Sequence, residues 1–266
     1  MFDIQFILLG FIQGITEFLP ISSSAHLVIT SEIFNWNDQG INFDVAVHFG
    51  TLLAVVFYLR KIIYNILVDV KFHITTNKSK QNFLYLKIII STLPAILTGF
   101  FIYNNIIVFL RNVELIAYSC ILFGIILYLV DRNSKFKKNW DTLSFKEAII
   151  IGIFQCFAFI PGASRAGVTI TASRLLGFSR ESSAIYSFIL SIPIIFSSSV
   201  LVSIEYYSQA TSTLELSKII VPALVSFFTA LLSIKFMILL VKKTSYNFFV
   251  IYRILLGIVL LTWIYI

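Results

Sequence analysis

The sequence predicts an all-α integral membrane protein of six transmembrane helices plus two re-entrant helical hairpins, arranged as an inverted-topology repeat. Three observations lead there. The 266 residues are 58% hydrophobic and only 12% charged, with a mean hydropathy of +0.93, whereas soluble domains carry about twice that share of charge. Six apolar runs are long enough to cross a bilayer. Two further apolar regions are broken in the middle by a proline and by polar residues that hydrocarbon does not welcome.

The six spanning runs are residues 41–59, 83–103, 114–130, 183–204, 218–241 and 248–266, each within or close to the roughly 17–25 residues a crossing needs. The broken regions are residues 2–34 and 146–176. Their arms of about 15 residues are short for a full span, so each is read as a hairpin that enters and leaves on one side. Lysine and arginine set the sidedness. Segment 60–82 holds Arg60, Lys61, Lys71, Lys78 and Lys80, and segment 131–147 holds Arg132, Lys135, Lys137, Lys138 and Lys146. Lys242 and Lys243 form a third cluster, while segments 35–40, 104–113 and 205–217 hold only Arg111. All three basic clusters share the cytoplasmic side if 146–176 is a hairpin entering from that side. By the same count 2–34 enters from outside, and both termini lie outside.

Each half is then a broken hairpin followed by three spans, residues 1–130 and 131–266. Three is odd, so the second copy sits upside down relative to the first. A short echo accompanies the count: Gly10, Gln13, Pro20 and Ser22 in one half match Gly152, Gln155, Pro161 and Ser164 in the other. In such architectures the breaks meet near the midplane and mark the binding site.

The net charge of +7 sits in short segments between apolar runs. It reads as topology signal and attraction to anionic lipid, not as a groove for nucleic acid. Cys120 and Cys156 both lie in apolar runs and read as free buried thiols. The N-terminus has neither a basic leader region nor a small-residue cleavage site, so the first hydrophobic segment is expected to stay. The 27 phenylalanines and 12 tyrosines suit lipid-facing and interfacial surface.

Chemistry concentrates in two polar islands. In the first, Gln13 and Glu17 are four apart on one helical face. After Pro20, Ser22, Ser23 and Ser24 fall where the free N–H groups of a new helix would point, a ready anion site. Ser23 and His26 are three apart, which on a helix would pair a hydroxyl with an imidazole as nucleophile and base. In the second island Arg165 supplies a fixed cation able to fork onto phosphate. Ser164 and Thr169 add hydroxyls, and Gly162 and Gly167 permit close backbone approach. The set suits phosphoryl transfer, with Glu17 able to hold a divalent ion. A transporter or lipid flippase using Glu17 and Arg165 as coupling and substrate charges is the rival from another class. His48 reads equally as a partner of the site or as packing, and Asp44 as a helix cap or a support of the site. Arg174 and Arg180 read as positive-inside anchors, and Arg253 as a snorkelling or site-stabilising residue.

Residues 13–26, QGITEFLPISSSAH, resemble the first motif of the undecaprenyl-diphosphate phosphatases, the bacitracin-resistance family of bacterial inner-membrane enzymes. Residues 161–169, PGASRAGVT, resemble their second motif, and the likeness extends through 43–51, FDVAVHFGT, to Tyr252 and Arg253. The resemblance implies hydrolysis of undecaprenyl diphosphate to the monophosphate, recycling the carrier lipid of cell-wall synthesis. It implies a divalent cation, Mg2+ or Ca2+, and a site opening towards the periplasm, and leaves the oligomeric state open, a homodimer included. By position Glu17 would hold metal or move protons, Ser23 would be the nucleophile unless a metal-bound water attacks, and His26 would be base or leaving-group acid. Arg165 would clamp the diphosphate, with Gln13, Ser22, Ser24, Ser164, Gly162 and Thr169 around it. Ala166 replaces the serine usual after the arginine, and Gln13 cannot serve as a base. The histidine-nucleophile lipid phosphatases are excluded, because no histidine follows Arg165.

Overall fold

The computed structural model describes residues 4–37, 39–79, 81–106, 112–134, 137–209 and 217–266. Apart from a single bridge between Lys138 and Phe178, the regular structure of the described residues is all helical. Arg111, Lys80 and Lys135, used in the charge count, lie outside them.

The first broken region is a pair of short helices, Ile4–Thr16 (α1) and Ser23–Ile33 (α2). Ile41–Tyr58 (α3) follows, then Arg60–Thr76 (α4), Leu84–Ile106 (α5) and Val113–Asn133 (α6). The second broken region is Phe145–Gln155 (α7), a 3-10 turn at Cys156–Phe159, and Arg165–Leu175 (α8). Arg180–Gln209 (α9), Ser217–Lys243 (α10) and Asn247–Tyr265 (α11) complete the chain. Helices α5, α6, α9, α10 and α11 are long and apolar enough to span, and α3 and α4, bent by 76° at the break between them, make a sixth when the pair is taken as one span.

Helix α4 departs from expectation, since its cations mark residues 60–82 as a connecting loop. Ile62, Ile63, Ile66 and Val70 are partly covered while Arg60, Lys61 and Lys71 stay exposed, so the segment is amphipathic. Buried Asp69 then anchors the turn after it, accepting from Ser79 Oγ at 2.7 Å and from the Gln81 N–H at 3.2 Å.

Small residues let the helices approach. A Cβ on Gly14 of α1 would stand 2.5 Å from the Ser226 carbonyl of α10, and one on Gly10 2.6 Å from the Pro222 carbonyl. On Gly152 of α7 it would stand 2.9 Å from the Ser91 carbonyl of α5. So α1 lies along α10 and α7 along α5, while α3 packs on both α10 and α9 and α6 on α11. Such small-residue contacts drive association where lipid removes the hydrophobic incentive.

A buried charge cluster ties α6, α8, α9 and the start of α11 together. Asp131, 2% exposed, accepts from Arg174 Nε at 2.8 Å and Arg180 Nε at 3.0 Å, and from the Tyr246 N–H at 3.3 Å. Arg174 also donates to the Phe178 carbonyl. Arg174 is therefore an internal cross-link, and Arg180, its side chain 34% exposed, meets the same carboxylate from the outer side.

Candidate active site

Both breaks are built alike. Pro20 and Pro161 cannot continue a helix, and each break ends in a serine with positive φ, Ser22 at 71° and Ser164 at 70°. These serines precede α2 and α8, whose first N–H groups have no intrahelical partner. The Ser164 hydroxyl caps α8 by accepting from the Gly167 N–H at 3.1 Å. Phe18, fully buried, anchors the first break by its edge-to-face contact with Phe188 of α9, centroids 5.4 Å apart. Gly162, with φ +85°, lets the second break run against α6, where a Cβ would stand 2.6 Å from the Ile116 carbonyl.

Arg253 of α11 joins the two breaks. Its Nη1 donates to the Pro20 carbonyl at 3.3 Å, and its Nη2 donates to the Gly162 and Ala163 carbonyls at 2.9 and 3.0 Å. The side chain is fully buried.

Glu17 is the centre of the site. Its Oε1 accepts from Arg165 Nη2 at 2.9 Å; its Oε2 accepts from Ser23 Oγ at 2.6 Å and from Gln13 Nε2 at 3.0 Å. His48 Nε2 of α3 lies 3.6 Å from the same Oε2. Arg165 Nη1 is held on the Ser187 carbonyl at 2.9 Å. Beside this group is a cavity of about 210 Å³ that Glu17, Ser22, Ser23, Ser24, His48, Gln155, Ser164 and Arg165 line on the polar side. Ala95, Phe159, Ile194 and Ile195 are among its apolar walls. Two helix N-termini and a guanidinium facing one small cavity are groups that favour an anion.

The sequence's pairing of Ser23 with His26 is not made. His26 Nδ1 donates to the Ser22 carbonyl at 2.7 Å, four residues back, which leaves Nε2 to accept from the Tyr252 hydroxyl at 2.6 Å. Ser23 turns instead to Glu17, whose carboxylate accepts its hydrogen bond. Thr169 lies behind the cavity wall, fully buried, donating to Ser187 Oγ at 2.8 Å and so steadying the residue that holds Arg165. Gly162 likewise shapes the break and does not line the cavity. Gln13 sits beside Glu17, its own oxygen without a partner among the described residues. Sequence reasoning did not single out Gln155 or Ser187; the matched Gly-x-x-Gln of the two hairpins is the signal that points to Gln155.

For a divalent cation the donors are few but of the right kind. No three His, Cys, Asp or Glu side chains cluster as ligands among the described residues. Glu17, the one carboxylate that lines the cavity, is an oxygen donor of the kind a hard ion takes, whereas Gln13 turns its amide nitrogen to Glu17 and does not line the cavity.

Fold and site together define a multi-pass helical membrane protein with a buried, ion-paired polar centre between two broken helices. The family model described as "Bacitracin resistance protein BacA" matches residues 6–259, and the chain belongs to that family. It is 43% identical over 257 residues to the undecaprenyl-diphosphatase of Aliivibrio salmonicida, covering 96% of both chains. It is 43% identical over 251 residues to that of Saccharophagus degradans, covering 94% of both. With the enzyme of the same name from Hahella chejuensis it shares 41% over 264 residues, 99% of this chain and 98% of the other.

Proposed function

We propose that this protein hydrolyses undecaprenyl diphosphate to undecaprenyl phosphate and inorganic phosphate, recycling the carrier lipid of cell-wall synthesis and so conferring bacitracin resistance. The observation that carries the reading is Glu17, bonded through one oxygen to the Ser23 hydroxyl and through the other to Arg165 at the edge of the cavity. Arg165 and the N-termini of α2 and α8 receive the terminal phosphate and stabilise the charge that gathers on its oxygens. Ser23 Oγ attacks that phosphorus while its proton passes to Glu17, and the bond to the bridging oxygen breaks, releasing undecaprenyl phosphate. Water then attacks the phosphoserine and gives a proton to Glu17 as the earlier proton returns to the departing Ser23 oxygen, releasing inorganic phosphate. Glu17 sheds the acquired proton to solvent before the next turnover. His26, fixed between Ser22 and Tyr252, is a positioning residue for the first turn of α2 in this scheme. A divalent cation, which Glu17 would hold, would supply further neutralisation of phosphate charge.

The host membrane in this reading is the bacterial inner membrane, with the site open to the periplasm. The two halves are read as an inverted repeat. In support, α1 packs on α10 and its counterpart α7 on α5, so each hairpin leans on a span of the other half. A C-terminal reporter fusion tests the sidedness: a periplasmic terminus is expected, and a cytoplasmic one overturns it.

Phosphate release from undecaprenyl diphosphate by the detergent-purified protein tests the activity, with Ser23→Ala and Arg165→Ala alongside. Loss of most activity in both variants is the expected result. An active Ser23→Ala beside an inactive Arg165→Ala replaces the serine by a directly attacking water. No release by lipid-supplemented wild type overturns the reading.

A further inference from the structure

One polar wall of the cavity has no part in the chemistry so far. Gln155 ends α7, is 1% exposed, and lines the same cavity as Glu17, Ser23 and Arg165. Its Nε2 donates to the Ser91 carbonyl of α5 at 3.0 Å. That carbonyl can only accept, which fixes the amide with its nitrogen on α5. Ser91 is itself held, its hydroxyl bonded to the Ala148 carbonyl at 2.9 Å and to the Tyr186 hydroxyl at 2.8 Å. The other end of the amide, Oε1, is buried and has no hydrogen-bonding partner among the described residues. A buried amide oxygen is costly to leave without a donor, and native structures rarely do so.

An amide oxygen is an acceptor only, so it does not bind an ionised phosphate oxygen. It needs an O–H. Two hydroxylic groups enter the proposed reaction: Ser23, whose proton is directed to Glu17, and the water that cleaves the phosphoserine. To attack, that water must point a lone pair at phosphorus, with one hydrogen on Glu17 and the other on a second acceptor. We propose that Gln155 is that acceptor, the positioning residue that orients the hydrolytic water through its Oε1. A carboxamide suits the task, because it holds the hydrogen without taking the proton, which leaves with Glu17. The inference rests on the Ser23–Glu17 reading and adds the residue that makes the second step a hydrolysis.

Pre-steady-state kinetics of the full-length protein in detergent test it. Gln155→Ala removes the acceptor, and misorienting the attacking group costs about 10²-fold in rate. The expected result is a burst of one undecaprenyl phosphate per enzyme, then steady-state phosphate release slowed about 10²-fold, with label from terminally labelled substrate trapped on the protein. A merely structural defect produces no burst and no trapped label. Gln155→Met, which keeps the side-chain length without a strong acceptor, is read in the same way should the alanine variant fail to fold. Steady-state turnover within twofold of wild type, or slow turnover without a burst, overturns the role. Ser23→Ala run beside it separates the two failures: if that variant stays active, it is the serine intermediate that falls.

Discussion

Arg253 and Pro20, 233 residues apart in sequence, are joined by a hydrogen bond of 3.3 Å from the guanidinium to the proline carbonyl. The other Nη of Arg253 holds the Gly162 and Ala163 carbonyls at 2.9 and 3.0 Å. One cation therefore satisfies backbone freed by both helix breaks, and its charge balances three carbonyl dipoles in a buried setting. Hydrogen bonds to charged groups contribute about 1.5–3 kcal/mol each. Arg253→Met should lower stability by about 3 kcal/mol or more, read as a fall in the detergent melting temperature together with loss of phosphate release. Arg253→Lys should recover only part of either, because lysine is a point donor that cannot fork across two loops.

The Glu17–Arg165 pair predicts strong non-additivity. Both side chains are largely buried, at 7% and 12% exposure, and removing one partner of a buried pair costs about 3–5 kcal/mol by stranding the other. Arg165→Met and Glu17→Gln should each destabilise, whereas the double variant should be more stable than the sum of the two losses allows. All three should be inactive. A melting-temperature cycle reads the first statement and a phosphate assay the second. Simple additivity would mean that the two groups do not meet.

The hairpins were legible because proline, glycine and clustered polar residues within apolar runs have few uses other than a buried break. Glu17, Ser23 and Arg165 could be named for that reason. The partner of Ser23 could not. Three residues' spacing suggested His26, but Ser23 is the first residue of α2, and the imidazole is drawn to the carbonyl of Ser22. His48, Ser187 and Arg253 are single polar residues or plain carbonyls on spanning helices, brought to the site by contacts between helices distant in sequence. No local pattern records such contacts. Helix α4 was hidden by its lysines, since a count of charges does not see the partly covered face of Ile62, Ile66 and Val70.

Asp131 offers a test of stability apart from the site. It carries two arginines and a backbone N–H while 2% exposed. Asp131→Asn leaves Arg174 and Arg180 as unneutralised neighbours, and should cost about 3–5 kcal/mol. Thermal melting should show the loss nearly unchanged between low and high salt, because buried pairs are screened little. The protein that remains folded should keep wild-type KM, since none of these groups lines the cavity.

Two glycines at helix contacts predict opposite outcomes for one substitution. On Gly14 a Cβ would lie 2.5 Å from the Ser226 carbonyl and 3.0 Å from the Ala230 nitrogen, both backbone atoms of α10. Neither can move without parting α1 from α10. Gly14 also lies one residue from Gln13 and three from Glu17 on the same arm, so any parting displaces the carboxylate from Arg165. Overpacking of this kind costs about 1–3 kcal/mol, and Gly14→Ala should lower both melting temperature and phosphate release. On Gly124 of α6 the nearest atom would be Arg253 Cβ at 3.4 Å, an ordinary contact. There the helix gains about 0.5–1 kcal/mol from replacing glycine by alanine, so Gly124→Ala should melt at or slightly above wild type with activity intact. Equal losses at the two positions would show that α1 is not seated on α10 through Gly14.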